Sequence, residues 1–378
     1  MITRVWDRYD PRLDRSAGAL LGAATALCMA GAAPAQAQQL VEPKREGGPA
    51  RRLAWLVEQV LIGLDDDAVG AVGADEQERS WALALRRTVA EGVVVPPAGE
   101  VAGARGGAWR VVAETPVPEL VPRQRRFPCG HYEHAVRAAQ VVGGQEAAMY
   151  AGALAGARWG ASGVPLAPQR ELARQVAPRR LVTAALAAVC GVDADQWPHR
   201  RSMSRAEDEA GHEVFGVAHP HDAGVVLSTL EYVRLREDFD AVVSLCRVGS
   251  ADIPERVAGP DRVEVWLADH PGVNANLHFV IDQAAQTVAA LRAEGKRVAL
   301  HCAACQSRTP AVAAHYAALA CGAEVVASLR QVIETVAGHL NNPELAGTSA
   351  ALHGVELDDP AAVLFPDGLP VLTRTPRT

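Results

Sequence analysis

The sequence predicts an all-α N-terminal region followed by an α/β domain with a mostly parallel central sheet flanked by helices. Apolar residues recur at helical spacing through the first half, whereas short β-branched runs alternate with helical stretches after about residue 210. The chain has 378 residues, which is enough for two domains. We place the helical region at 1–195, the α/β domain at 210–350 and a loosely held tail at 351–378.

Composition and charge exclude several classes of protein. Hydrophobic residues make up 49% of the chain and charged residues 21%, which excludes a collagen-like, disordered or multi-span membrane protein. The 37 basic and 44 acidic residues give a net charge of −7 without a long basic run. We therefore expect neither nucleic acid nor a membrane as a partner.

Seven scattered cysteines indicate reduced thiols rather than a disulfide scaffold, and hence a cytoplasmic protein. One segment opposes this localisation. Residues 17–33 are apolar, follow Arg12 and Arg15, and lead into 34–37, which resembles a signal-peptide cleavage site. Acidic residues before the segment and glycines within it disfavour export. We expect a buried first helix, with a signal peptide as the alternative.

The first half divides into helical stretches and loops. Residues 34–50 are rich in Pro, Gln and Gly, as is typical of a linker, and residues 94–107 are Pro/Gly-rich again. From Arg51 to about Arg87, apolar side chains recur at helical spacing. A further helical block covers 131–159, and the small residues in its second half favour close helix packing.

The second half alternates strands with helices. The predicted strands cover 225–227, 241–245, 263–267 and 297–301. The predicted helices cover 276–294, 309–320 and 324–340. Such alternation is typical of parallel strands joined by helices.

The strongest chemical signal is a loop between the strand at 297–301 and the helix that follows it. Cys302 and Arg308 are separated by five residues, so the loop between them can surround a phosphate with inward-pointing backbone N–H groups. A helix N-terminus favours the thiolate of a cysteine, and an arginine binds two phosphate oxygens at once. Pro310 suits the first turn of the helix. The remaining residues of this phosphate loop are His301, Ala303, Ala304, Cys305, Gln306 and Ser307.

A strand, His-Cys-x5-Arg-Thr and a helix together resemble the signature of cysteine-dependent protein tyrosine and dual-specificity phosphatases, over roughly 217–345. The resemblance implies that Cys302 is the nucleophile, that Arg308 binds the phosphate and that no cofactor is needed. It also implies that Asp269 is the general acid and then the base, and that Thr309 assists hydrolysis of the cysteinyl-phosphate. His301 would orient the loop.

Each assignment has an alternative. Asp269 could be a turn or capping carboxylate, with His270 as the proton donor, and Thr309 could cap the helix. The phosphatase family usually has glycine where this chain has Cys305, so a positive φ there would be strained. Cys305 is either tolerated in the loop or forms a reversible disulfide with Cys302. No metal site is expected, because no second Cys–His pair lies at ligand spacing.

Two stretches of the first half resemble ADP-ribosylglycohydrolases, an all-α family that uses two Mg²⁺ ions. Residues 13–24 are similar to the opening helix of that family, and 109–165 are similar to a later part that contains Gly143-Gly144. The family supplies Mg²⁺ ligands directly after these glycines, where this chain has Gln145-Glu146-Ala147. The acidic run 65–67 is expected to end a helix at the surface. We therefore expect a truncated, degenerate helical module without metal.

The sequence thus predicts a phosphatase that hydrolyses phosphate monoesters, with phosphotyrosine favoured by the resemblance. The expected partner is a phosphorylated protein or a small phosphomonoester, and nothing indicates an oligomeric state. The alternatives are removal of ADP-ribose by the first half, or an inactive module that binds phosphorylated or ADP-ribosylated ligands.

Overall fold

A computed structural model describes residues 6–64, 75–99, 101–192 and 213–368. These residues form two compact units. The first comprises the described residues up to 118 together with 128–192, and the second comprises 119–127 together with 213–368. The predicted boundary at 195–210 and the acidic run 65–67 lie outside the described residues.

The first unit is helical, as predicted. Its α-helices are α1 (Pro11–Met29), α2 (Pro34–Gln39), α3 (Pro49–Ile62), α4 (Glu76–Glu91), α5 (Gly103–Glu114), α6 (His131–Trp159), α7 (Leu166–Leu172) and α8 (Pro178–Cys190). The stretch 34–50 is not wholly a linker, because it contains α2, and Leu40 at the end of that helix is buried.

Helix α1 is a buried helix that packs against α6. The two backbones touch through glycines: a Cβ on Gly18 would lie 2.1 Å from the carbonyl oxygen of Gly156. The hydroxyl of Tyr132 donates to the carbonyl of Gly22 at 2.6 Å. The segment considered as a signal peptide is therefore part of the core of this unit. Among the described helices, none combines the length and the hydropathy that crossing a bilayer would require.

The second unit is α/β. Its strands are β1 (Gly216–His219), β2 (Asp222–Ser228), β3 (Ala241–Ser244), β4 (Arg262–Glu264) and β5 (Val298–His301). Its α-helices are α9 (Leu230–Leu235), α10 (Leu277–Ala293), α11 (Arg308–Ala320), α12 (Val325–Thr335), α13 (Pro343–Ala351) and α14 (Pro360–Leu364). The strand order is β1-β2-β5-β3-β4, with α10 and α11 packed on the sheet.

The sheet is mixed. Strand β1 pairs with β2 in antiparallel orientation, whereas the pairs β2–β5, β5–β3 and β3–β4 are parallel. The mostly parallel sheet is therefore confirmed, with one antiparallel edge strand that the sequence analysis did not predict. Strand β1 is short and half-exposed, so its sequence lacks the continuous apolar run of a buried strand.

Two segments of the second unit differ from expectation. The described part of the predicted tail, 351–368, does not lie loosely, because Leu364 and Phe365 join the core formed by α12 and α13. Residues 119–127 come from the helical half of the sequence but belong to the second unit. There Arg125 pairs with the buried Asp282 at 3.3 Å. Tertiary contacts of this kind leave no periodic signal in the sequence.

Candidate functional site

The parallel strands bring three loops together at one edge of the sheet. Ser244 at the end of β3 is in register with both His301 on β5 and Glu264 on β4. The segments that follow these strands, 245–247, 265–276 and 302–307, therefore begin side by side. Ligands of open α/β sheets bind at this carboxyl edge.

The phosphate loop folds between β5 and α11 as the sequence predicted. Cys302 and Cys305 are both buried, at 1% and 0% exposure, and both are free thiols. Cys305 has a φ of 61°, the left-handed conformation that favours glycine. The backbone thus adopts the turn for which the resembled family uses glycine. The structure contains no disulfide between the two cysteines.

Arg308 is anchored from two neighbouring strand ends. Its Nη1 donates to the carbonyl of Leu245 at 2.8 Å and to that of Leu267 at 3.4 Å. Its Nε lies 3.6 Å from Oδ2 of Asp269. These contacts orient the guanidinium at the first residue of α11, where backbone N–H groups also favour an anion.

Asp269 contacts the phosphate loop directly. The hydroxyl of Ser307 donates to its Oδ1 at 2.7 Å, and Arg308 lies beside its other oxygen. His270 is exposed, and its Nδ1 lies 2.9 Å from the carbonyl of Pro271 in its own loop. The structure therefore brings Asp269 together with Arg308 and the loop.

The loop that carries Asp269 is tied at two further points. The side-chain amide of Asn274 accepts from the Ala268 N–H at 2.8 Å and donates to the Ala268 carbonyl at 2.9 Å. The N–H of Gly272 donates to Glu344 on α13 at 2.8 Å. The two hydrogen bonds from Asn274 fix the backbone of Ala268, the residue next to Asp269. Neither Asn274 nor Glu344 was singled out from the sequence, although an Asn in a loop after a strand is a weak signal of such a turn.

His301 is held neutral beneath the loop. Complete burial lowers its pKa to about 4. Its Nδ1 lies 3.3 Å from the Cys302 carbonyl, which only accepts, so Nδ1 carries the proton and Nε2 accepts from Ser244 Oγ at 2.7 Å. These two contacts fix the orientation of the His301 ring.

Cys246 is a residue of the site that the sequence analysis missed. It lies two residues after the end of β3, and burial raises its pKa to about 12, with Arg308 opposing that shift and Cys302 adding to it. A thiol with this pKa stays protonated at neutral pH. The available signal was its position after a buried strand, at the same sheet edge as Cys302.

Thr309 does not cap α11. The cap position is Ser307, and the hydroxyl of Thr309 is buried without a hydrogen-bond partner. The capping alternative is therefore wrong. A ligand or a water molecule bound beside the loop would supply the hydrogen bond that this buried hydroxyl lacks.

A third segment supports the phosphate loop from the side of α12. The side-chain amide of Gln306 donates to the Ala337 carbonyl at 3.0 Å. The backbone carbonyl of Gln306 accepts from the His339 N–H at 3.0 Å. A Cβ on Gly338 would lie 2.8 Å from that same carbonyl, so only glycine allows this approach. Ala303 is held at the opposite side, because its carbonyl accepts from the N–H of Leu230.

The first unit does not assemble a metal centre from its described residues. Gly143 and Gly144 interrupt α6 with non-helical backbone, and the amide of the following Gln145 donates to the Gly31 carbonyl at 3.2 Å. Asp14 of α1 accepts from the hydroxyl of Ser162 at 2.6 Å. Throughout the described ranges, no group of three His, Cys, Asp or Glu side chains is arranged to hold a metal.

Comparison of the sequence with known protein families, of the chain with curated proteins and of the fold with solved structures finds no match.

Proposed function

We propose that the second unit is a phosphatase that hydrolyses phosphate monoesters through Cys302. The observation that carries this proposal is the juxtaposition of three groups at one sheet edge: the Cys302 thiol, the Arg308 guanidinium and the Asp269 carboxyl. Asp269 contacts both Ser307 and Arg308, and Cys302 begins the loop that ends at these two residues. A nucleophile, an anion-binding group and an acid in one loop cluster is the set that transfer of a phosphoryl group requires.

The reaction has two steps, formation of a cysteinyl-phosphate and its hydrolysis. The Cys302 thiolate attacks phosphorus while Arg308 and the backbone N–H groups of the loop bind the other phosphoryl oxygens. The bond from phosphorus to the leaving oxygen breaks, and Asp269 gives that oxygen a proton. A water molecule then attacks the cysteinyl-phosphate as Asp269 takes up its proton. The sulfur–phosphorus bond breaks, which releases inorganic phosphate and restores the thiolate.

The contacts of Asp269 suit both steps. An entering phosphate dianion would occupy Arg308, which now lies beside Asp269, and would leave the carboxyl with Ser307 alone. Phosphotyrosine is the favoured substrate by resemblance to the phosphatase family.

Hydrolysis of para-nitrophenyl phosphate, with reductant and a chelator present, tests the proposal. Wild-type protein should turn over, Cys302→Ser should be inactive, and Arg308→Lys should lose at least tenfold in kcat/KM, because lysine lacks the two-point geometry. Cys321→Ser is the matched control, since this exposed thiol lies at the far end of α11. Phosphate binding without turnover in folded, reduced protein would overturn the proposal and support a binding module.

A further inference from the structure

An arginine and a tryptophan form a stacked pair beside the phosphate loop. The Arg247 guanidinium carbon lies 4.3 Å from the centroid of the Trp266 ring. Arg247 is exposed and follows β3, whereas Trp266 is half-buried and follows the neighbouring strand β4. The contact joins the two loops that also anchor Arg308.

Arg247 and Trp266 lie close in sequence to the two residues that contact Arg308. Arg308 donates to the carbonyls of Leu245 and Leu267. Trp266 directly precedes Leu267, so their Cα atoms are about 3.8 Å apart, and Arg247 is two residues beyond Leu245, within about 7 Å. The Arg247 side chain therefore starts two residues from a carbonyl that Arg308 contacts.

The alternation of buried residues indicates which side of the strand the pair occupies. Val263, Val265 and Leu267 are buried, whereas Trp266 between them is half-exposed. Trp266 thus points away from the core side of the extended segment that continues β4, and its ring contacts the exposed Arg247 cation. A cation–π contact engages the face of a guanidinium, while its N–H donors lie in its plane and suit a carboxylate or phosphate.

We propose that Arg247, held by Trp266, binds a second anionic group of the substrate, so that the site prefers phosphomonoesters with a negative charge close to the scissile phosphate. This inference rests on the proposed function. It names a specificity-determining residue at the rim of the site, distinct from the phosphate-binding Arg308. Stacking reduces the side-chain entropy lost when an anion binds, which is why a single exposed arginine can discriminate here.

Paired peptides test this inference. Two phosphotyrosine peptides are compared that carry either Glu or Gln on both sides of the phosphotyrosine. We measure kcat/KM with wild-type protein, and we measure the affinity of each peptide for Cys302→Ser, which binds without turnover. The Glu peptide should be favoured about tenfold in both measurements, chiefly through KM, and the preference should shrink as the salt concentration rises.

Variants then assign the preference to the pair. Arg247→Gln, alone and on the Cys302→Ser background, should abolish the preference, and Trp266→Leu should reduce it. The matched control is Arg297→Gln, because Arg297 is an exposed arginine at the opposite end of β5 and should leave the preference intact.

The outcomes separate this inference from the proposed function. Equal affinity of the two peptides for Cys302→Ser, or a preference that survives Arg247→Gln, would overturn the inference. Absence of Cys302-dependent hydrolysis of both peptides and of para-nitrophenyl phosphate would overturn the proposed function instead. The affinity arm still decides the inference in that case, since it does not depend on turnover.

Discussion

Cys305 adopts a left-handed backbone conformation within the phosphate loop. Its φ of 61° lies in the region that glycine and asparagine enter easily and that a β-branched residue avoids. We expect Cys305→Gly and Cys305→Asn to keep Cys302-dependent hydrolysis of para-nitrophenyl phosphate within a few fold. Cys305→Val should lose at least tenfold in kcat/KM. Equal activity of the Val and Gly variants would show that the left-handed turn is not needed.

His301 offers a matched test of a buried hydrogen bond. Ser244 and Ser228 occupy equivalent positions in the two strands that flank His301, yet Ser244 donates to the histidine and Ser228 Oγ has no partner. Ser244→Ala should cost about 1–3 kcal/mol in the free energy of unfolding, because it leaves a buried nitrogen unsatisfied. Ser228→Ala should cost less than that. Denaturant unfolding checks both, and equal losses would refute a stabilising hydrogen bond between Ser244 and His301.

The residues with chemical signatures could be identified from the sequence, and those that support them could not. Cys302, Arg308 and Asp269 follow a spacing and a strand end that can be read directly, and the structure brings them together. Ser244 and Cys246 join the site only through the register of β3 with β5, which depends on contacts between distant parts of the chain. The positive φ at Cys305 was anticipated only through the glycine that the resembled family usually has at this position, since cysteine itself gives no such signal.

At the scale of elements, the loop after β4 determines where Asp269, the proposed acid, is held. Asn274→Ala removes both hydrogen bonds to Ala268 and should release Asp269 from its position over the phosphate loop. We expect kcat to fall little for para-nitrophenyl phosphate, a good leaving group, and at least tenfold for an alkyl phosphate that needs protonation. A plot of kcat against leaving-group pKa measures this effect. An unchanged slope would contradict the positioning role of Asn274.

The regular elements were predictable where burial gives them a period. The helices α10 and α11 and the strands β2, β3 and β5 agree with the predicted stretches within a few residues. Strand β4 is shorter than predicted, since regular pairing ends at Glu264 although the alternation of buried residues continues to Ala268. The docking of 119–127 into the second unit could not be predicted, because it involves contacts between distant parts of the chain, the Arg125–Asp282 pair and the Phe127–Phe279 ring contact among them.

At the scale of the whole molecule, each unit contains a deeply buried histidine whose pKa is lowered to about 4. Burial lowers the pKa of both His131 in the first unit and His301 in the second to about 4. His131 Nδ1 accepts from the Trp159 indole at 3.1 Å, and its Nε2 donates to the Val112 carbonyl. The two units thus share a pH-dependent contribution to stability.

The direction of this dependence follows from proton binding. Below about pH 6.5 the unfolded histidine binds a proton and the folded one does not, so stability falls as the pH drops from 6.5 to 4. Each histidine contributes up to about 3 kcal/mol over this range. Thermal unfolding measured against pH should show the loss, and Ser244→Ala should alter it in the second unit alone. Stability that is constant between pH 4 and 6.5 would contradict the neutral, buried state.

The central claim is that a phosphoryl group passes through Cys302. Wild-type protein that is turning over para-nitrophenyl phosphate is denatured rapidly and digested, and the mass of the peptide containing Cys302 is measured. The account predicts a fraction of this peptide that is heavier by one phosphoryl group attached to sulfur, and no such fraction in Cys302→Ser. Turnover with unmodified Cys302 and phosphate on another residue, or on none, would contradict it.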